Sequence, residues 1–337
     1  MIATNKDKLN RHIAFISDNN YVFPTSIAIY SLVSNLCKDK EHKYFIHVFS
    51  FDLTKENNEK LTRMGRENSN VIIHCINVKE YEHIFKTVNQ KTHVTPTALL
   101  KFELANLLPE CEEVLYLDGD IIVKGNIATI FDYDITGYAL AASFEFWTYL
   151  MKLFEFDGDS ELPEFSFNSG VMLLNLKYFR ENRIDKQLWK TKFDSCNQAK
   201  KKENMMDQTT LNIVLANRCV HLPIKYNCNN QFTEGVDISY INKAFKASYN
   251  NSEELKNDAV IVHYVGKKEK PWIYTGVRFQ GIWDYYCKQY GVNPDYLNRH
   301  KFKKDIKYYV ERLVRSLEVR GLRKTLIYLY YKKDVKL

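Results

Sequence analysis

Apolar residues along this chain alternate between two spacings. His12-Ile13-Ala14-Phe15-Ile16-Ser17 is a short continuous apolar run of strand length, followed by the polar turn Asp18-Asn19-Asn20-Tyr21. From Pro24 to Leu36 the apolar positions 29, 32, 33 and 36 have helical spacing, and Pro24 suits a helix start. A second strand is predicted over Tyr44–Ser50, a polar helix over 54–66 and a third strand over Asn70–Ile76. A helix over 95–108 and a strand through Val114–Val123 complete this half. Strands alternating with helices predict an α/β architecture with a mostly parallel, Rossmann-like sheet flanked by helices. In such sheets ligands sit beyond the carboxyl ends of the strands. The turn after strand one and an acidic pair in the fourth strand segment both fall there.

Beyond residue 135 the pattern is less regular. Gly170–Leu176 and Val260–Val265 read as strands, and 204–216 as a helix beginning near Met205. There is no internal repeat, and no linker before about residue 290. The expected organisation is one catalytic domain over 1–290 and a C-terminal tail over 291–337. In the tail, apolar residues 310, 313, 314 and 317 share one helical face among Arg312, Arg315 and Arg320. Gly321 interrupts this pattern, and Thr325-Leu326-Ile327-Tyr328-Leu329-Tyr330-Tyr331 then runs into Lys332-Lys333.

Charge sharpens the contrast between body and tail. Residues 301–337 carry a surplus of eight positive charges, more than the +7 of the whole chain, so the first 300 residues stand at −1. A near-neutral body argues against a nucleic-acid surface. A cationic helix with Leu-rich and aromatic faces fits an anionic membrane surface; the plainer alternative is a helix packing its apolar stripe on the domain. Cys37, Cys75, Cys111, Cys196, Cys219, Cys228 and Cys287 are scattered without a C-x-x-C pair, which fits a reducing compartment. The polar N-terminus resembles no secretion signal, and no stretch reaches the roughly 18 apolar residues of a spanning helix. The expected location is therefore cytoplasmic, peripheral on the inner face of the membrane.

The candidate chemistry centres on Tyr116-Leu117-Asp118-Gly119-Asp120-Ile121. Carboxylates flanked by buried strand residues are costly unless something neutralises them. In an extended chain, residues i and i+2 point the same way, so Asp118 and Asp120 are expected to converge on one hard cation. Gly119 would leave room for a ligand beside the backbone. The triplets Asp132-Tyr133-Asp134 and Asp157-Gly158-Asp159 share the spacing but lack the apolar flanks. His263 follows a strand and precedes Gly266, Lys267, Lys268, Lys270, Pro271 and Trp272, which suits a third metal ligand beside a phosphate clamp. It equally suits a core histidine before a basic turn. Phe167-Asn168-Ser169-Gly170 reads as a turn before a strand, able to bond a sugar or ribose. Asp207-Gln208 opens a helix, where an acidic residue is stabilised with or without a function. P-loop, dinucleotide-binding glycine, H-E-x-x-H and G-x-S-x-G motifs are absent.

Taken in order, the blocks Phe15–Tyr21, Tyr116–Asp120, Phe167–Val171, Asp207–Asn212 and His263–Gly266 with Lys270-Pro271-Trp272 resemble the family 8 glycosyltransferases. These are retaining, metal-dependent enzymes of the GT-A fold that use nucleotide sugars, and the nearest likeness is to bacterial lipopolysaccharide glucosyl- and galactosyltransferases. The resemblance implies that Asp118, Asp120 and His263 bind Mn²⁺ (or Mg²⁺), which holds the diphosphate of a UDP-sugar. It implies uridine contacts from Ile16, Asp18, Asn20 and Tyr21, and a diphosphate grip from Gly266 and Lys270. Asn168, Ser169, Asp207 and Gln208 would surround the donor sugar, with Asp207 and Gln208 nearest the reaction, and Gly119 would lie beside the donor. The family usually offers an arginine from the helix before the acidic pair; here Leu99 is expected at that place, with Lys101 as the basic residue nearby. The implied activity is transfer of glucose or galactose from a UDP-hexose to a glycan or glycolipid hydroxyl. A glycogenin-like self- or protein-glucosylating enzyme and a non-catalytic nucleotide-sugar-binding protein are the alternatives.

Overall fold

Strands β1 (Asn10–Ile16), β2 (Lys43–Ser50), β3 (Val71–Asn77) and β4 (Glu113–Leu117) lie parallel in the order β3-β2-β1-β4 in the computed structural model of the protein. It describes residues 9–82, 96–146, 166–185, 187, 188, 191, 206–229, 237–266 and 269–301. Helix α1 (Val22–Leu36) connects β1 to β2, and α2 (Lys55–Arg66) connects β2 to β3. The side-chain oxygen of Thr54 caps α2 by accepting from the Asn57 amide at 3.3 Å, satisfying one of the donors a helix start leaves open.

The remainder of the sheet changes direction. Strand β5 (Ile121–Val123) leaves it, while β6 (Leu140–Phe144), β7 (Phe167–Asn175) and β8 (Cys219–His221) extend it to the order β3-β2-β1-β4-β7-β6-β8. β7 runs antiparallel to both β4 and β6, and β6 runs parallel to β8, giving a mixed, mostly parallel sheet. Alternate residues of its central strands fill cores on both faces. Ala14, Tyr116 and Met172 join Leu99, Leu211 and Leu215 on one side; Ile13, Phe15, Leu115 and Leu173 join Ile29, Leu32 and Leu61 on the other.

Three expectations change here. The apolar run 114–123 is two strands, because the chain turns at Asp118–Asp120 and β5 enters a second sheet, pairing antiparallel with β10 (Ile261–His263). Strand β9 (Cys228–Asn229) completes that sheet on the other side of β10. The segment expected as a helix over 95–108 is 3-10 over Pro96–Glu103 and then a single α turn, α3 (Leu104–Leu107). Phe167–Gly170 lies inside β7, not before it, since its backbone continues the ladder to β6.

Helix α4 (Leu176–Glu181) follows β7, and α5 (Met206–Leu215) carries the Asp207–Gln208 pair in its first turn. Helices α6 (Ile238–Phe245), α7 (Ser252–Asp258) and α8 (Gln280–Gln289) surround a third core of Ile122, Val262, Tyr264 and Trp283. The chain stays on this body past residue 290. Strand β12 (His300–Lys301) pairs with β11 (Tyr274–Thr275), and the Arg299 guanidinium donates to Asp284 at 2.7 Å and to the Pro271 carbonyl at 3.2 Å. The rest of the basic tail, 302–337, lies outside the described residues, as do Asp157–Asp159, Cys196, Met205, Lys267 and Lys268. No helix among the described residues is long and apolar enough to cross a membrane. The six described cysteines are free thiols.

Candidate active site and metal centre

The second sheet is what assembles the site. Pairing of β5 with β10 sets His263 opposite Ile121, and the Tyr264 amide donates to the Asp120 carbonyl at 2.9 Å. His263 therefore arrives beside an acidic turn 143 residues earlier in the chain. Ligand atoms of Asp118, Asp120 and His263 all lie within 4.8 Å of one another. His263 Nε2 is 3.2 Å from Asp120 Oδ1 and 3.9 Å from Asp118 Oδ2. On its other side, Nδ1 is 2.9 Å from the side-chain oxygen of Asn227, so Nε2 is the ring nitrogen that faces the carboxylates. Two carboxylates and one imidazole nitrogen, with the second ring nitrogen held by a neighbour, form a donor set that fits Mn²⁺ or Mg²⁺.

Two glycines give the cluster its space. A Cβ on Gly170 would stand 2.2 Å from the His263 ring and 2.8 Å from Asp118 Oδ2. A Cβ on Gly119 would stand 2.3 Å from Thr25 Oγ1 and 3.3 Å from the Tyr21 ring. Gly170→Ala is accordingly expected to separate Asp118 from His263 and weaken Mn²⁺ binding by roughly 10–100-fold, measured by titrating free Mn²⁺ in electron paramagnetic resonance. Binding within about twofold of the wild type would refute that reading of the cradle.

Two lysines hold the carboxylates. Lys101 Nζ donates to Asp207 Oδ2 at 2.6 Å and lies 3.2 Å from Asp118 Oδ1. Burial by itself would lower the pKa of this ammonium, but Asp118 and Asp207 outweigh it and hold the pKa above the ordinary lysine value. Leu99 is fully buried in the core on the face of Leu211. The basic side chain among the carboxylates is thus Lys101, two residues beyond the place expected. On the other flank Lys270 Nζ bonds Asp120 Oδ2 and donates to the Tyr264 carbonyl at 2.6 Å. Burial would raise the Asp120 pKa, yet Lys270 and His263 pull it well below the usual carboxylate range. The Tyr116 hydroxyl donates to Asp118 Oδ1 at 2.6 Å, and burial and Asp118 push that phenol up, so it remains a donor.

The expected donor residues separate into those within this network and those beside it. Ser169 Oγ donates to Asp207 Oδ2 at 3.3 Å, and the Ser169 amide donates to Gln208 Oε1 at 3.1 Å. Asn168 and Gln208 both donate to Glu145 Oε2, at 2.9 and 3.0 Å. Tyr21 stands edge-on to Trp272 with ring centroids 5.6 Å apart, and burial and the nearby Asp120 and Asp118 carboxylates push its phenol well up. Its ring lies beside the acidic turn, 3.3 Å from where a Cβ on Gly119 would stand. Ile16 ends β1 and Asp18 lies in the turn after it, where Asp18 Oδ1 accepts from the Tyr21 amide at 2.8 Å just before α1. Asn20 is exposed in that same turn. Gly266 takes φ +95°, a conformation that favours glycine, just after His263.

Glu145 and Asn227 are the residues that the sequence reading missed. The only signal for Glu145 was a lone carboxylate between Phe144 and Phe146 at the end of an apolar strand. Asn227 stands in the polar run Asn227-Cys228-Asn229-Asn230, which carries no recognisable spacing.

Comparison with known proteins agrees with this arrangement. The glycosyl transferase family 8 model matches residues 12–276. Glycosyltransferase GlyB of Streptococcus pneumoniae is 28% identical over 287 residues, covering 82% of this chain and 61% of GlyB, so the chain spans about three fifths of that relative. Lipopolysaccharide 1,2-glucosyltransferase of Escherichia coli is 24% identical over 282 residues, covering 82% of this chain and 77% of the enzyme. The crystal structure of galactosyltransferase LgtC with donor and acceptor sugar analogs superposes with a TM-score of 0.60 at 20% identity, covering 83% of this chain and 95% of LgtC. The match runs from the first strand through the second sheet and contains Asp118, Asp120 and His263, and the sheet is that of the GT-A fold: this chain belongs to glycosyl transferase family 8.

Proposed function

We propose that the protein transfers a hexose, glucose or galactose, from a UDP-sugar to a hydroxyl of a glycan or glycolipid acceptor, with retention of configuration. The observation that carries this reading is the convergence of Asp118, Asp120 and His263 within 4.8 Å at the carboxyl ends of β1 and β4, where α/β sheets take their ligands. These three side chains would hold Mn²⁺ or Mg²⁺, which when bound supplies Lewis-acid stabilisation of the charge on the departing diphosphate. Lys270 stands beside Asp120 and is placed to meet the same phosphates. Lys101, Asp207, Ser169, Asn168 and Gln208 form a buried polar wall suited to sugar hydroxyls.

Gln208 is an amide whose oxygen already accepts from the Ser169 backbone, which makes it a poor nucleophile. We therefore favour attack by the acceptor hydroxyl on the face that the diphosphate leaves. The sugar C1–phosphate oxygen bond breaks, the C1–acceptor oxygen bond forms, and the hydroxyl proton passes to the departing phosphate oxygen. The acceptor is placed at the cytoplasmic face of a membrane, with residues 302–337 as the attachment.

The test is UDP release from UDP-glucose, UDP-galactose, UDP-GlcNAc and UDP-GalNAc with Mn²⁺, with and without EDTA. Release from one hexose donor, abolished by EDTA, is the expected result. UDP binding without turnover of any donor, with acceptor glycans present, would favour a binding protein. A gain of hexose mass on the intact chain would move the reading to self-glucosylation.

A further inference from the structure

We propose that the exposed ring of His221, stacked on Phe144 at the edge of the sheet, is an acceptor subsite that packs against the face of one sugar ring of the acceptor glycan, with Lys246 beside it for that ring's hydroxyls. The inference rests on the glycosyl-transfer reading above and adds the place where the acceptor is held.

Sheet topology puts His221 at the same end of the molecule as the acidic turn. β7 runs antiparallel to both β4 and β6, and β6 runs parallel to β8, so β4, β6 and β8 all point one way. His221 is the last residue of β8, as Phe144 is of β6, and both stand at the carboxyl end where β4 delivers Asp118. They also share the face covered by α5, because Ala142 and Cys219, two residues before them, pack in one core with Leu211 and Leu215. Glu145 follows Phe144 and accepts from Gln208, in the first turn of α5, at 3.0 Å. β8 lies one strand beyond β6, a spacing of about 4.8 Å. His221 therefore flanks the polar wall proposed for the donor sugar, about one sugar ring further out.

The stack is a firmly held and partly open aromatic surface. The rings of Phe144 and His221 lie 3.9 Å apart between centroids and 25° from parallel. Phe245 meets the Phe144 ring at 5.8 Å and the Phe146 ring at 6.0 Å, and Phe146 is fully buried in the third core. Phe144 is half-buried, whereas His221 stays exposed although Phe144 covers one face of its ring. Burial of part of the ring and the Lys246 ammonium lower the His221 pKa, so the imidazole is neutral at neutral pH. A neutral aromatic face suits the C–H groups that a pyranose presents on one side, while its hydroxyls need polar partners around the rim. Lys246 brings three donors. It caps α6 with φ +50°, a left-handed conformation that favours glycine, and its N–H donates to the Asn242 carbonyl. The chain thus carries a lysine at a helix end where glycine would be unstrained.

The experiment titrates the full chain, with UDP and Mg²⁺ present, with lactose, maltose or N,N′-diacetylchitobiose. The protein is labelled with ¹³C-histidine, and His221 is assigned from the ring signals missing in His221→Phe. At least one disaccharide is expected to shift the ring C–H signals of His221 and to receive saturation transfer from the protein. His221→Ala should weaken binding of that disaccharide roughly 5–10-fold, the scale of one aromatic contact. His221→Phe, which keeps a flat ring on Phe144, should bind it within about twofold of the wild type. Lys246→Met should weaken it roughly threefold, the share of one hydrogen bond.

His221 signals that none of the three disaccharides moves in the wild-type chain overturn the proposal, a result that does not depend on His221→Ala folding. Binding by His221→Ala within about twofold of the wild type, with only a lower melting temperature, overturns it as well, because the stack would then be edge packing of β8. Failure of the transferase reading is a separate outcome. It would show as no UDP release from any donor with acceptor glycans present, whereas the titration requires no turnover and still reports on His221.

Discussion

Replacing Asp120 with alanine is expected to abolish Mn²⁺ binding and lower UDP release by at least about a thousandfold, a loss of roughly 4 kcal/mol of transition-state stabilisation. Asp120 holds three of the site's relationships at once. It is one of the three clustered ligands, it pairs with Lys270, and it lies 3.2 Å from the His263 ring. Without it, Asp118 and His263 remain 3.9 Å apart as a two-ligand set, too few to hold a hard cation against water. Lys270 loses its carboxylate and keeps only the Tyr264 carbonyl among the bonds described for it. The measurement is Mn²⁺ titration by paramagnetic resonance together with donor turnover. Turnover within tenfold of the wild type would show that the acidic turn is not the metal centre.

Lys101→Met is expected to be the most destabilising change at the site. Methionine matches the length of the lysine stem and removes only the ammonium. Lys101 is 3% exposed, with Asp207 at 2.6 Å and Asp118 at 3.2 Å. Its removal leaves two carboxylates near one another without their shared cation. Breaking a buried ion pair on one side costs about 3–5 kcal/mol, because the remaining charge is uncompensated. For a chain of this size that corresponds to a fall in melting temperature of roughly 4–7 °C. Lys101→Arg should keep most of the stability but lose donor turnover, since a planar guanidinium cannot repeat the ammonium's contacts to both carboxylates. A melting temperature for Lys101→Met within about 2 °C of the wild type would mean that Asp118 and Asp207 do not depend on this cation.

The sequence by itself determined the layered α/β fold and the site's inventory. Continuous apolar runs such as Ile13–Ile16 and Val114–Leu117 must be buried on both faces, which only a sheet covered by helices allows. The same runs made Asp118 and Asp120 conspicuous, because carboxylates there demand compensation. Local periodicity does not report where the chain turns or what lies across a sheet. The expected extended strand at the acidic pair is a turn, and the two carboxylates converge there because β5 crosses into a sheet with β10. Lys101, and not a residue at position 99, reaches the carboxylates because the 3-10 segment Pro96–Glu103 turns Leu99 into the core.

Glu145 and Asn227 were invisible in the sequence for the same reason. Each is a single polar residue whose meaning depends on partners from 23 to 63 residues away. Composition and spacing therefore set which side chains could form a metal and sugar site. The pairing of β5 with β10, which no local pattern encodes, decided that they meet, with Nε2 of His263 turned to the acidic pair.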